Sequence, residues 1–270
     1  MDRAALKTLE FRPDVLVAKS LVGAGSSALP PVIIALQEWW GVNDQIKSHA
    51  QRIANGTGAI VIVPDMYDGK LGLNAEEASH LMGNLDWVKG IERLESLVDS
   101  LRDEASKPSS TDIRKVGCIG FCMGSALALA LAARYAQKPY PLDAIVGFYG
   151  VPGEESIKPI PGIDIGRIPL KTHVRAYFGK LDPLEGFSDY KTAKKLEKAW
   201  EDAVKGDDGG HAHEFNVFVY DEYGHAFMND DKWCQDRIRE LNLGTAYNPD
   251  FVTQIWAGVF EFFTKHLKIV

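Results

Sequence analysis

The chain has 270 residues, 46% of them hydrophobic and 25% charged, with a net charge of −7. That balance is ordinary for a soluble globular protein, and the length is within reach of one α/β domain spanning residues 1–270. An acidic chain without a basic stripe argues against nucleic acid or an anionic membrane as partner.

Short apolar runs alternate with longer helical patterns along the chain. An N-terminal strand is expected near Val15–Val22, at an antiparallel edge. Val32–Leu36 is continuous and β-branched, follows Pro30-Pro31, and predicts a buried strand. A helix is predicted over Asn43–Asn55 and a strand over Ala59–Val63, ended by Pro64-Asp65. Ala75–Glu104 is a long helical region with a break near Gly83, and Ala105–Asp112 is a polar loop. The strand Val116–Ile119 leads into an alanine- and leucine-rich helix, Met123–Ala136. Then come a strand at Ala144–Phe148, a Pro/Gly-rich loop at Pro152–Pro169, and a strand at Val174–Phe178. A helix at Ser188–Val204, a strand at Phe215–Tyr220 and an amphipathic helix at Phe251–Leu267 close the chain. Strands apolar on both sides, separated by helices, predict an α/β fold: a mostly parallel sheet flanked by helices on both faces. Functional residues of such a sheet collect at the carboxyl ends of its strands.

No apolar stretch in the first twenty residues resembles a secretory signal, and Ala126–Ala133 is too short to span a bilayer. The three cysteines, Cys118, Cys122 and Cys234, build neither a disulfide framework nor a metal-ligand spacing. The expectation is a cytoplasmic protein with reduced thiols, needing no cofactor or metal.

Gly120-Phe121-Cys122-Met123-Gly124 joins a strand directly to a helix. This is the nucleophile-elbow pattern, G-x-S-x-G with cysteine in place of serine. The flanking glycines let strand and helix pack closely, the strained turn pushes the sulfur out over the sheet, and the helix N-terminus favours a thiolate. The plain alternative, a buried structural cysteine, fits Cys118 within the strand better than it fits Cys122. Cys234 lies in a polar segment with no evident partner.

A thiol nucleophile needs a histidine adjacent in space. His225, in Tyr223-Gly224-His225-Ala226-Phe227, follows the last strand and lies on the same sheet edge as Cys122. The other six histidines are weaker candidates. His49 and His80 read as helix-surface residues, His173 precedes a strand, His211 and His213 lie in a Gly/Asp loop without a third metal ligand, and His266 is on the last helix. Asp182 follows Val174–Phe178 and is placed to hold His225 in the correct tautomer, although an aspartate before proline is also an ordinary turn residue. The order Cys122, Asp182, His225 is the nucleophile–acid–base order of α/β-hydrolases. Glu38, at a strand end beside Trp39 and Trp40, reads either as a proton acceptor with a raised pKa or as a polar loop cap.

With Gln37–Asn43, Pro64–Tyr67, Gly120–Gly124, Phe148–Val151, Gly179–Pro183 and Gly224–Phe227 in this order, the chain resembles the dienelactone hydrolase family within the α/β-hydrolase fold. The resemblance runs from about Val32 to the final helix. It implies a Cys122–His225–Asp182 triad, a Glu38 that helps form the thiolate, and an oxyanion hole at the backbone N–H groups of Trp39 and Met123. It also implies arginines that hold a substrate carboxylate, but Ala75 and Asn229 stand at those places, neither of them able to pair with a carboxylate. Trp39, Trp40, Tyr67, Phe148 and Phe227 are candidates for an apolar pocket, each equally placed to be core.

The expected function is hydrolysis of a small ester or lactone through a thioacyl-enzyme, by a monomer or homodimer. The alternatives are a thioesterase or peptidase, and a slow or non-catalytic ligand-binding sensor on the same fold. Lys205–His213 and Trp233–Asn248 read as insertions, the second either a lid or, by default, surface decoration.

Overall fold

The computed structural model of the chain describes residues 15–19, 30–103, 113–158, 160, 163–207 and 213–269. Its strands are β1 (Val15–Ala18), β2 (Val32–Leu36), β3 (Ile60–Pro64), β4 (Val116–Phe121), β5 (Ala144–Phe148), β6 (His173–Gly179) and β7 (Phe215–Tyr220). They form one sheet in the order β1-β3-β2-β4-β5-β6-β7, antiparallel where β1 meets β3 and parallel from β3 to β7. The antiparallel edge strand is as expected. Residues 20–22 of its predicted span, the loop 105–112 and most of the 205–213 insertion lie outside the described residues.

The helices are α1 (Asp44–Thr57), α2 (Ala75–Gly83), α3 (Trp87–Asp103), α4 (Met123–Tyr135), α5 (Glu154–Ile157), α6 (Tyr190–Lys205), α7 (Lys232–Glu240) and α8 (Pro249–Leu267). Side-chain caps set several boundaries where apolar periodicity missed them. Asn43 accepts from Ile46 N at 3.2 Å, so it precedes α1, and Gly58 at φ 78° ends that helix. The 75–104 region breaks just beyond Gly83, where Asn84 N returns to His80 O and Asp86 accepts from Lys89 N to start α3. Asp189 caps α6, which starts at Tyr190 rather than Ser188. The proline-rich loop carries α5 and a 3₁₀ turn, Ile165–Leu170, capped by Asp164.

Strand residues alternate between two apolar layers. Ile33, Ala35, Val61, Val63, Ile119 and Val146 face α1 and α8, where they meet Ile46, Ala50, Val259 and Phe262. Ile34, Leu36, Ile62, Cys118 and Ile145 face α3, α4 and α6, where they meet Leu94, Val98, Leu127 and Trp200. From β2 the chain moves outward to β3, then returns to place β4 on the other side of β2. The crevice beyond the carboxyl ends of β2 and β4 is therefore the topological switch point, where ligands bind in open parallel sheets. Among the described residues no helix is long and apolar enough to cross a membrane.

Candidate active site

Cys122 links β4 to α4 with φ 53° and ψ −117°, a backbone region that a non-glycine residue occupies only when its surroundings hold it there. Neighbouring backbone holds the turn closely. A Cβ on Gly120 would stand 2.0 Å from Gly124 O, and one on Gly124 would stand 2.3 Å from Leu36 O. Cys122 N donates to Phe148 O at 2.9 Å, and Cys122 O accepts from Ser125 N at 2.9 Å. Ser125 is buried and donates in turn to Gly150 O at 2.7 Å, tying the elbow to the end of β5.

The parallel register brings the other groups to the same edge. Leu36 pairs with Gly120, so Glu38 and Trp39 lie level with Cys122 and Met123. Phe121 pairs with Phe148, placing Tyr149 beside Cys122. Asp182 follows β6, and His225 follows β7.

His225 Nδ1 lies 2.6 Å from Asp182 Oδ2 and 3.2 Å from Ser188 Oγ. The other carboxylate oxygen of Asp182 accepts from Leu184 N at 3.0 Å. Burial disfavours a charged His225 ring. The Cys122 sulfur, through charge and a hydrogen bond, and the Asp182 carboxylate outweigh burial, so the imidazole pKa rises well above its ordinary value. Cys122, Asp182, His225 and Glu38 are all less than a tenth exposed. The structure thus brings the three expected triad side chains together.

Glu38 receives two neutral donors. Tyr149 OH donates to Oε1 at 3.1 Å and Asn229 Nδ2 donates to Oε2 at 2.9 Å. Burial raises the Glu38 pKa above its ordinary value, although both hydrogen bonds and the nearby His225 pull it down. The expectation that Asn229 cannot pair with a carboxylate is corrected: its amide binds the protein's own Glu38. An amide supplies hydrogen-bond donors without a charge, which a reading limited to ion pairs overlooks.

Other sequence expectations also change. Phe148 is fully buried, stacked at 5.1 Å on Phe121 and 4.8 Å on Tyr177. It belongs to the core beneath the site and is not a pocket wall. Trp40 is buried against Trp233 at 5.1 Å, and Trp39 is half-buried beside it. Tyr67 is buried with its hydroxyl 3.1 Å from Met123 Sδ, and Phe227 packs edge-on to Tyr149 at 5.2 Å. His49 is buried rather than on a helix surface, stacked at 4.7 Å on Phe121, with its pKa pushed down to about 3 by burial. His80 is exposed and His173 opens β6 at its amino end. His211 lies outside the described residues. Cys118 is buried in β4, and burial pushes its thiol pKa up.

The 233–248 insertion is not decoration. Its helix α7 seats Trp233 on Trp40 and buries Cys234, whose sulfur accepts from Asn43 Nδ2 at 3.6 Å. Beyond α7, Leu243 O accepts from His225 N at 2.8 Å. A Cβ on Gly244 would stand 2.5 Å from His225 O. The insertion therefore backs the histidine loop. Among the described residues no cluster of three or more His, Cys, Asp or Glu could hold a metal ion.

A profile of the dienelactone hydrolase family matches residues 19–267, nearly the whole chain. The chain belongs to the dienelactone hydrolase family. It is 24% identical over 241 residues to a putative carboxymethylenebutenolidase of Aquifex aeolicus, a match covering 88% of this chain and 89% of the relative. It is 32% identical over 153 residues to a carboxymethylenebutenolidase of Pseudomonas putida, covering 53% of this chain and 60% of the relative. The fold matches a putative dienelactone hydrolase from Klebsiella pneumoniae with a TM-score of 0.65 at 17% identity, covering 93% of this chain and 99% of that one.

Within this dienelactone hydrolase family member, sequence reasoning missed Tyr149, Asn229 and Ser188 as neighbours of the reacting groups. Tyr149 carried a signal: it directly follows a strand whose carboxyl end was already expected to face the site, and its φ of 41° turns the chain there. Ser188 carried none, since His225 lies 37 residues away; the resemblance did put Asn229 at the site, in the place of an arginine, but nothing announced its bond to Glu38, 191 residues away.

Proposed function

We propose that this dienelactone hydrolase family member cleaves a small, neutral ester or lactone through a thioacyl-enzyme on Cys122. The carrying observation is the line of contacts from Asp182 through His225 to Cys122, with its 2.6 Å Nδ1–Oδ2 separation. Such a line gives the Cys122 thiol a proton acceptor in His225, so that attack can proceed from a thiolate–imidazolium pair.

The Cys122 thiolate attacks the carbonyl carbon, and the carbonyl electron pair moves to oxygen. The N–H groups of Trp39 and Met123 receive this oxyanion. Both follow the ends of adjacent parallel strands, and Met123 opens α4, where a first-turn N–H has no acceptor within the helix. Collapse breaks the bond to the leaving oxygen, which takes its proton from the His225 imidazolium. His225 then deprotonates a water that attacks the thioester, releasing the acid and restoring the thiolate–imidazolium pair. Asp182 holds the ring tautomer throughout. Glu38 is a reserve proton acceptor for the thiol, its pKa raised by burial.

We infer a neutral substrate from the groups around the triad. Glu38 is held by the uncharged Tyr149 and Asn229. Aromatic side chains surround the triad, with Tyr149 at 5.0 Å and Phe187 at 6.4 Å from the His225 ring.

The test is pre-steady-state hydrolysis of p-nitrophenyl acetate by wild type and by Cys122→Ala. A burst near one equivalent per chain, absent from the variant, is expected. Equal rates without a burst in both proteins would remove the cysteine mechanism and leave a ligand-binding role on this fold in the lead.

A further inference from the structure

The sheet edge opposite Cys122 carries a second cleft of about 400 Å³, at the amino ends of β4, β5 and β6 beside the carboxyl end of α8. Six fixed cations line it, Arg102, Arg114, Lys115, Lys171, Lys265 and Lys268, against one lining carboxylate, Asp143. In a chain of net charge −7 this is a local reversal of sign.

The carboxylates within reach are already engaged. Asp143 pairs with Lys115 at 2.7 Å and with Arg102 at 3.6 Å. Glu214 pairs with Lys265 at 2.7 Å and Arg175 at 2.6 Å, and accepts from His266. Among the described residues this leaves Arg114, Lys171 and Lys268 in excess.

Arg114 is the informative member. It is 1% exposed. Its Nε donates to Leu101 O at 3.0 Å and its Nη1 to Pro30 O at 2.9 Å, while the buried Nη2 has no partner. A guanidinium keeps its charge even when buried, and a buried donor without an acceptor is costly. An anion that reaches Nη2, the guanidinium nitrogen without a partner, satisfies both deficits with a charge-assisted hydrogen bond. Lys171 and Lys268 stand exposed at the rim as a second set of positive charges. Burial lowers the pKa of His266 and of His173 in the wall. His173 stacks on His266 at 3.7 Å, and burial followed by its histidine neighbours pulls its pKa down to about 4.

We propose that this cleft binds a small molecule carrying two or more adjacent phosphate groups, at a site separate from the hydrolytic one. The β4 strand has six residues and runs from the cleft to the elbow, a separation of about 20 Å at roughly 3.3 Å per residue. A molecule seated here does not reach Cys122, so it is not the substrate of the thiol.

The test is calorimetric titration of the full chain with inorganic pyrophosphate at low ionic strength, for wild type and for Lys171→Glu/Lys268→Glu. Saturable binding at one site per chain is expected in the wild type, with Kd raised at least tenfold in the double variant. Hydrolysis of p-nitrophenyl acetate by that variant is expected to be unchanged, since both side chains are exposed and remote from the triad. ADP titrated in parallel separates the two sources of this chemistry: binding with the same loss extends the ligand to nucleotides, and failure beside pyrophosphate binding restricts it to a free diphosphate. No saturable pyrophosphate binding in the wild type, or the same Kd in both proteins, would overturn the proposal.

Discussion

The proposed nucleophile and the proposed base of this site are built in opposite ways. Cys122 is held by its immediate neighbours: the contacts that shape its turn come from Gly120, Gly124 and Ser125, with Gly150 and Phe148 from the adjacent strand. His225 is held by distant parts of the chain. Its N–H is fixed by Leu243, its ring by Asp182 and Ser188, and its backbone is hemmed in by Gly244. Downstream, Asp230 is bound to α1 by Gln45 at 2.7 Å and Arg52 at 2.6 Å, and Asp231 N donates to Gln45 at 2.6 Å. The proposed nucleophile is thus fixed by backbone contacts of its own βα turn and of the two strands beside it, and the proposed base by tertiary hydrogen bonds to more distant segments. Damage to the first should cost the fold, and damage to the second should cost alignment.

The largest effect is expected from Gly120→Ala. Its new methyl group would meet backbone at 2.0 Å, which no side-chain rearrangement relieves. A loss of about 3 kcal/mol or more is expected, read by urea unfolding, or failure to fold at all. Next is Asp182→Asn, which leaves the elbow intact. It should lower kcat by roughly 10³-fold with little change in melting temperature. Because the Asp182 hydrogen bond raises the His225 pKa, the variant should also bring that pKa down, as followed by the imidazole NMR signal. An unmoved pKa would show that Asp182 does not charge the ring. Gly244→Ala should be smaller. A methyl group 2.5 Å from His225 O displaces the base without touching substrate, so kcat should fall about tenfold with KM nearly constant.

The smallest effect concerns Glu38. A carboxyl whose folded pKa is raised holds its proton longer in the folded state than in the unfolded one. It therefore costs no stability below its unfolded pKa near 4.5, and the cost grows as pH rises through the raised folded value. Glu38→Gln should accordingly be more stable than wild type at neutral pH, with the advantage vanishing below pH 4.5, as read by urea unfolding across pH. An advantage that grows toward acid would contradict the raised pKa.

The difference between the two halves of the site also explains what could be read from the sequence. The elbow is five consecutive residues with glycines at fixed spacing, and the parallel sheet is a succession of apolar runs, so both are local patterns. Strand ends then place Glu38, Asp182 and His225 on one edge by register alone. The brace behind His225 was hidden because Leu243 and Gly244 lie in a polar stretch whose only distinction is what it touches. Asn229 was misjudged because residue type announced no charge, while the fold supplied a buried carboxylate for it. Phe148 looked like a pocket residue from its position at a strand end. The alternation of the strand turns its ring to the α1/α8 layer instead, where Phe121 and Tyr177 stack on it.

In the proposed mechanism the Cys122 sulfur carries the acyl group during turnover. Mass spectrometry of the full chain, acid-quenched within the first turnover of p-nitrophenyl acetate and then digested, reads this directly. A single acetyl group is expected on Cys122, accumulating in Asp182→Asn and absent from Cys122→Ala. Turnover with no acetylated cysteine, or with the label on Cys118 or Cys234, would contradict it.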